Sequence, residues 1–121
     1  SGGEMSRIML ATKAILANYT QLPTLIFDEI DTGVSGEIAT KMALIMAQMS
    51  ANRQVFAITH LPQIAAKGQT HFKVYKVAQE ANTQTQIKQL SDEERVLELA
   101  EMLSGKDPVA SAINHAKALL N

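Results

Sequence analysis

Residues 25–36 read Leu-Ile-Phe-Asp-Glu-Ile-Asp-Thr-Gly-Val-Ser-Gly, and this stretch decides the fold. The apolar run from Thr24 to Phe27 is too short for a helix and predicts a strand buried on both faces. The strand ends at the acidic pair Asp28 and Glu29. In open α/β sheets, ligands bind beyond the carboxyl ends of the strands. The acidic pair is therefore a candidate ligand site, although a simple exit of the chain into solvent explains it equally well.

Downstream of this strand, the pattern predicts a helix and a second strand. Residues 30–36 form a loop with two glycines, and Ser35 is a candidate N-cap for the helix. The residues expected to face inward on that helix are Ile38, Met42, Ile45, Met46 and Met49. The second buried strand covers residues 55–58 and ends at Thr59 and His60. Strand, helix and strand in this order predict a right-handed parallel crossover, which places both carboxyl ends at one edge.

Upstream, Ser1-Gly2-Gly3-Glu4 leads directly into a helix predicted over residues 4–18. Two glycines allow backbone amides to approach an anion, and a helix N-terminus favours negative charge. A plain Ser/Gly helix cap is the simpler alternative for this segment alone. An apolar stripe on one face of the helix consists of Met5, Ile8, Met9, Ile15, Leu16 and Tyr19.

The remaining residues predict one short helix, a hairpin and two longer helices. Residues 62–66 favour the short helix, and residues 72–77 and 83–90 favour two strands joined near Ala81 and Asn82.

Two helices are predicted to close the chain. Ser91 with Glu94 forms a capping box before a helix that ends at Gly105. Asp107-Pro108 is expected to start the last helix, because proline is tolerated in the first helical turn. The residues expected to face inward are Val96, Leu99, Ala100 and Leu103 in the first helix, and Val109, Ala112, Ile113, Ala116 and Leu120 in the second.

Composition narrows the possible functions. A chain of 121 residues suits one domain or part of one. With 11 Lys and Arg against 12 Asp and Glu, the net charge of −1 provides no basic footprint for nucleic acid. The absence of cysteine excludes disulfides and thiolate metal sites. No apolar run reaches the roughly 18 residues of a membrane span, so no membrane partner is expected.

The order of the segments carries more weight than any one of them. A glycine-led helix, a strand ending in Asp-Glu, a crossover helix and a strand ending in His resemble the C-terminal half of ABC-type ATPase heads. In that family the signature motif, Walker B, D-loop and switch histidine follow in this order. Residues 28–31, Asp-Glu-Ile-Asp, resemble SMC-type heads in particular. Residues 1–7, 32–36 and 59–66 are similar to the RecN family of SMC-like DNA-repair proteins.

This resemblance implies roles for the first segment and the loop. Ser1, Gly2 and Gly3 would contact the γ-phosphate of an ATP molecule bound to the opposite protomer, with Glu4 and Arg7 supporting them.

At the strand ends, the resemblance implies that Asp28 holds Mg²⁺ through water, that Glu29 is the general base and that His60 is the switch. The D-loop would run from Asp31 to Ser35 and cross the dimer interface, so both of these residues are candidate nucleotide contacts. Many ABC proteins have Asp where this chain has Ser35, so details of transporter D-loops do not carry over.

The resemblance also implies an α/β fold: part of a P-loop NTPase head with a parallel sheet core flanked by helices, plus a C-terminal hairpin and two helices. Residues 1–121 would be the C-terminal part of that head. The sequence contains no G-x-x-x-x-G-K-[ST] loop and no long heptad region, and in the family both precede the signature motif. The fragment alone is therefore expected to be inactive.

The implied full-length protein would hydrolyse ATP with Mg²⁺ between two heads of a homodimer. It would serve DNA double-strand-break repair and recombination at the nucleoid in the bacterial cytoplasm. Two alternatives stay open: a non-catalytic assembly module, or another SMC or ABC-type head, with the Asp-Glu-Ile-Asp stretch arguing against a transporter. A lobe cut from its domain would also leave apolar surface uncovered and self-associate.

Overall fold

The computed structural model of the chain describes residues 2–121, so the predictions made for Ser1 lie outside the described residues. Nine elements follow one another: α1 (Gly2–Thr20), β1 (Thr24–Asp28), α2 (Gly36–Met49), β2 (Gln54–Ile58), α3 (Pro62–Ala65), β3 (Phe72–Ala78), β4 (Thr83–Gln89), α4 (Asp92–Ser104) and α5 (Ala110–Leu120) in the described part of the chain. The predicted order of helices and strands is confirmed. None of the helices in residues 2–121 combines the length and hydrophobicity that a membrane span requires.

Strands β1 and β2 form the predicted parallel pair. Leu25 lies beside Val55 and Asp28 beside Ile58. The described residues contain no third strand in this sheet. The expected parallel core is therefore present as a pair of strands that holds the two carboxyl ends side by side.

One face of this pair is covered and the other is open. Leu25 and Phe27 are 6% and 0% exposed and share a core with residues of α1 and α2. The opposite face carries Ile26, Phe56 and Ile58, which are 55%, 47% and 53% exposed. We call these three residues the open sheet face. The prediction of strands buried on both faces is wrong, because in the described chain the helices pack on one side only.

Helix α1 does not bury the side that its hydrophobicity predicts. Its buried residues are Gly3, Ser6, Leu10 and Ala17. The predicted apolar stripe, here called the outer stripe, ranges from 42% exposed at Met9 to 86% at Tyr19. Close packing explains the reversal, because a Cβ added to Gly3 would lie 2.9 Å from a backbone oxygen of the loop after β1. Only small residues allow the helix to approach that loop.

Helix α2 follows the prediction in part. Met42 and Met46 are buried as expected, together with two alanines, and Met49 packs at the edge of the core. Ile38 and Ile45 are 36% and 41% exposed, so their predicted inward orientation is wrong.

Ser35 occupies the N-cap of α2, yet its side chain makes no capping hydrogen bond. The predicted start of the helix is therefore correct, whereas the predicted cap bond is absent.

Helices α4 and α5 pack against each other and bury Leu99, Ala100, Ala112 and Ala116, as predicted. The last helix begins later than expected, at Ala110 instead of Asp107-Pro108. Its N-cap residue, Val109, is extended with ψ 165° and is 63% exposed, so its predicted inward orientation is wrong. Asp107 has a left-handed φ of 54° and Val109 is extended, so neither residue can belong to a right-handed helix that starts at Asp107-Pro108.

The capping box before α4 is confirmed. The amide of Glu94 donates to the Ser91 hydroxyl at 3.2 Å, and the Glu94 carboxylate accepts from the Ser91 amide at 3.1 Å. Hydrogen bonds from Lys88 and then from Ser91 lower the pKa of Glu94 to about 2. At its other end the helix stops at Gly105, which has φ 91°.

Strands β3 and β4 form the predicted antiparallel hairpin, with Val74 beside Ile87. The hairpin is attached to α4 through the ammonium of Lys73, which lies 2.6 Å from a carboxylate oxygen of Glu98.

Arg95 joins the C-terminal helices to the segment that follows β2. Its side chain is largely buried, and Nη2 donates to the carbonyl oxygens of Ala65, Ala66 and Gly68 at 3.2, 3.4 and 2.8 Å. A guanidinium that meets three carbonyls stabilises this connection, because hydrogen bonds with one charged partner are stronger than neutral ones.

Candidate functional site

The carboxyl ends of β1 and β2 bring two predicted segments together. Asp28 lies beside Ile58 in the strand register, and the amide of Glu29 donates to the Ile58 carbonyl at 2.9 Å. The next two residues after Ile58 are Thr59 and His60. The acidic pair and the histidine segment therefore share one sheet edge, as the strand order predicts.

The backbone of Glu29 adopts a sparsely populated conformation. Its φ of 52° lies in the left-handed region, which is uncommon for a residue other than glycine. The hydroxyl of Thr32 donates to the Glu29 carbonyl at 3.0 Å, and the Val34 amide donates to the Asp31 carbonyl at 3.0 Å. Such a conformation costs about 1–3 kcal/mol and is typical of functional sites. The hydrogen bonds of the loop hold Glu29 in this conformation despite its energetic cost.

The side chains of Asp28 and Glu29 are open to ligands. Both residues are exposed, and no side chain within residues 2–121 bonds or pairs with either carboxylate. The described residues contain no cluster of three or more acidic or histidine side chains that could hold a metal ion. Mg²⁺ usually keeps several waters and takes one or two carboxylates together with substrate phosphates. A single unpaired carboxylate at Asp28 fits that requirement.

Asp31 points into the protein. The residue is 1% exposed, and its Oδ2 accepts a hydrogen bond from the hydroxyl of Thr59. The same oxygen lies 3.8 Å from Nδ1 of His60, whose side chain is 64% exposed. The Thr59 hydroxyl also accepts from the Leu61 amide at 3.0 Å. Asp31 and Thr59 thus connect the loop after β1 with the turn after β2.

Sequence reasoning did not single out Thr59. A hydroxyl directly before the candidate histidine was its only signal in the sequence, and its importance rests on a contact with a residue 28 positions away. Lys13 was missed as well, although its ammonium donates to the Ile26 carbonyl at 2.6 Å and lies 5.2 Å from the centre of the Phe27 ring. This lysine anchors α1 to β1 and lies outside the candidate site.

The glycine segment lies against the loop after β1 in the same chain. A Cβ on Gly3 would meet the Gly33 carbonyl oxygen at 2.9 Å, and Gly33 itself has φ 74°. The Ser6 hydroxyl lies 2.9 Å from the carbonyl oxygens of both Gly2 and Thr32. Gly3 is therefore required for packing and is itself buried, whereas Gly2 before it is exposed. Exposed Glu4 follows it on the first turn of α1.

Ser35 lies at the far end of the loop, exposed and without a capping bond. The structure brings Gly2, Gly3, Asp31 and Ser35 into one region around the loop, with Asp31 facing inward.

Curated relatives match the chain along its whole length. DNA repair protein RecN from Bacillus subtilis is 43% identical over 120 residues, which cover 99% of this chain and 21% of that protein. RecN from Halalkalibacterium halodurans is 44% identical and RecN from Haemophilus influenzae 40% identical, both over 121 residues. The chain belongs to the RecN family, of which it represents one segment. It spans about a fifth of the length of these RecN relatives.

A solved structure supports the same assignment at the level of fold. The solved chain, from work on ATP-driven dimerization and DNA-stimulated activation of SMC ATPases, matches with a TM-score of 0.68 and 21% identity. The match covers 86% of this RecN segment and 62% of that chain. No protein-family model matches. The fold of this segment is thus similar to that of an SMC head, and it combines a small parallel strand pair, an antiparallel hairpin and C-terminal helices.

Proposed function

We propose that residues 1–121 form the C-terminal part of an ABC-type ATPase head. In this proposal, the full-length RecN-type protein binds and hydrolyses ATP between two heads and acts in DNA double-strand-break repair and recombination. The observation that carries the proposal is the shared edge at which the open acidic pair, Asp28 and Glu29, lies beside the histidine segment. About 40–45% identity to RecN proteins over the whole chain supports it.

In this proposal, the two acidic residues have different roles in ATP hydrolysis. Glu29 accepts a proton from a water molecule as the water oxygen attacks the γ-phosphorus and the bond to the ADP oxygen breaks. Asp28 would hold Mg²⁺ through water, and the bound ion would neutralise charge on the phosphates. His60 bonds the γ-phosphate and responds to its loss. The strained backbone at Glu29 sets the direction in which the side chain leaves the loop. A defined direction suits a general base that must reach one water molecule.

The glycine segment acts on a nucleotide held by the second head. Ser1, Gly2, Gly3 and Glu4 approach its γ-phosphate, and the loop ending at Ser35 crosses the interface beside them. The Gly3–Gly33 packing and the hydrogen bond from Ser6 to Thr32 support this proposal, because they hold the two segments next to each other on one surface.

DNA is a partner of the full-length protein in this proposal, at the nucleoid in the bacterial cytoplasm. The net charge of −1 indicates that most DNA contacts lie in other segments of the protein.

The test compares two glutamates in the full-length protein that carries this segment. Glu29→Gln is expected to lower ATP turnover by about 10²–10⁴-fold, the usual contribution of a general base, and to trap an ATP-bound dimer. The control is Glu37→Gln, since Glu37 is an exposed residue of α2 that pairs with Lys41 at 3.4 Å and has no role in the proposed hydrolysis. Turnover by phosphate release and dimer size by light scattering are the measurements. Equal ATP turnover in the two variants would rule out Glu29 as the general base.

A second candidate function is a non-catalytic assembly module. The observation in its favour is the apolar surface that the described residues leave uncovered, namely the open sheet face and the outer stripe. Under this alternative, ATP turnover of the full-length protein would be the same with Glu29 and with Gln at that position. The 121-residue chain itself is expected to show negligible ATPase activity under either function.

A further inference from the structure

We propose that Asp31 and Thr59 are positioning residues that hold the His60 ring in the orientation it needs at the γ-phosphate. This inference rests on the proposed ATPase function. It assigns Asp31 an inward role within its own head, in addition to the D-loop contact that the family resemblance implies.

The burial of Asp31 requires an explanation. Taking a carboxylate out of water is costly unless hydrogen bonds or an opposite charge compensate. At 1% exposure, Asp31 has the Thr59 hydroxyl as a hydrogen-bond donor on Oδ2, and Oδ1 has no partner within residues 2–121. A carboxylate that only terminated the strand would face solvent, as its neighbour Asp28 does. Asp31 is instead directed at the histidine segment.

Thr59 fixes the backbone on both sides of His60. Its hydroxyl donates to Asp31 and accepts from the Leu61 amide at 3.0 Å, so residues 59 and 61 are both held through one oxygen. A β-branched side chain is also stiff at χ1. The position of the histidine backbone therefore follows from the position of the Asp31 carboxylate.

The ring of His60 is oriented by the same carboxylate. Nδ1 lies 3.8 Å from Oδ2 of Asp31, within ion-pair range but beyond the 2.7–3.2 Å of a hydrogen bond. A shift of about 1 Å would complete the hydrogen bond. With Nδ1–H directed at the carboxylate, Nε2 points away from Asp31 and is the atom presented to a ligand. A carboxylate behind a working histidine sets its tautomer and orientation in many sites.

The kinetic test uses the full-length protein with three variants. Asp31→Asn and Thr59→Val are expected to lower kcat for ATP hydrolysis by about 10–100-fold, the usual effect of losing a group that orients a functional histidine. KM for ATP is expected to change less than about 3-fold, because the ring position matters most in the transition state. Thr59→Ser keeps the hydroxyl and should restore most of kcat.

The matched control is Thr40→Val. Thr40 is an exposed threonine whose hydroxyl bonds only within its own helix, to Gly36 at 3.4 Å. A merely structural role would lower thermal stability and kcat together in Thr59→Val and would raise KM as the site loosens. Wild-type kcat in both Asp31→Asn and Thr59→Val would overturn the proposal.

A spectroscopic test does not depend on ATP turnover. In the 121-residue chain with ¹⁵N-labelled histidine, at mildly alkaline pH, the ring nitrogens of His60 should show a protonated Nδ1 and an unprotonated Nε2. Asp31→Asn should shift these signals toward a mixture of both tautomers, while His71 and His115 serve as internal references and His60→Gln assigns the peaks. Unchanged His60 signals would overturn the positioning role. An inactive wild-type full-length protein would overturn the proposed function instead, and the NMR result would still decide the role of Asp31.

Discussion

The strand pair and the C-terminal helix pair differ in how much of their apolar surface is buried. The strand pair buries Phe27 completely on one face and leaves Phe56 on the other face 47% exposed. Helices α4 and α5 instead bury Leu99 between them, and Arg95 of α4 donates to the carbonyl oxygen of Ala65 in α3. The candidate site lies at the edge of the strand pair, so the half that carries the chemistry is also the half with an uncovered face.

The largest effect is expected from the two phenylalanines of the strand pair. Phe27→Ala removes a fully buried ring and should lower the free energy of unfolding by about 3–5 kcal/mol, from lost burial and the remaining cavity. Phe56→Ala removes the same group from the open sheet face and should cost less than about 1 kcal/mol. Urea unfolding of the 121-residue chain followed by circular dichroism provides the measurement.

Light scattering tests the same difference between the two faces of the strand pair, through self-association of the chain. Phe56→Ser should reduce self-association of the chain, because it removes part of an exposed apolar surface. Similar losses of stability in Phe27→Ala and Phe56→Ala would show that the open sheet face is buried in solution, which would contradict the difference between the two faces.

The two halves also differ in how well the sequence predicts them. Local chemistry determines the start of α4, where Ser91 and Glu94 lie three residues apart and bond each other's backbone. The buried side of α1 depends on a contact between Gly3 and Gly33, 30 positions apart, which hydrophobic periodicity does not reveal. The outer stripe shows that periodicity alone identifies a helix but not the side that packs.

In the candidate site, too, the sequence predicts some features and not others. The sequence predicts that Asp28, Glu29 and His60 share one edge, because strand order brings the carboxyl ends of parallel strands together there. The link between Asp31 and Thr59 was not found, because it depends on the path of a loop whose φ angles include 74° at Gly33. Element order is a property of the sequence pattern, whereas the direction of one side chain in a loop is set by tertiary contacts.

A smaller effect is expected at the two serine N-caps. Ser91→Ala removes a side-chain bond to the Glu94 amide and should lower the free energy of unfolding by about 1 kcal/mol. Ser35→Ala is the matched control, because Ser35 occupies an N-cap without making such a bond and should cost much less. Thermal or urea unfolding distinguishes them. Equal costs would indicate that N-cap position alone, and not the bond, stabilises these helices.

The smallest effect concerns the pH dependence of stability through His71, which lies between the hairpin and α4. Burial lowers its pKa below the ordinary 6.5, Arg95 and Lys73 lower it further, and Glu98 opposes them. The unfolded chain therefore binds this proton first as the pH falls. The free energy of unfolding should decrease as the pH drops through 6.5 and level off below the folded-state pKa.

His71→Gln should flatten that part of the curve, since a neutral side chain takes up no proton in either state. The exposed His115→Gln on α5 is the control, and other titrating groups cancel when variants are compared at each pH. Urea unfolding between about pH 8 and about pH 5 covers the window around an ordinary histidine. An unchanged slope in His71→Gln would mean that this histidine is solvated in solution, and that the contact between hairpin and helix is as open as the uncovered face of the strand pair.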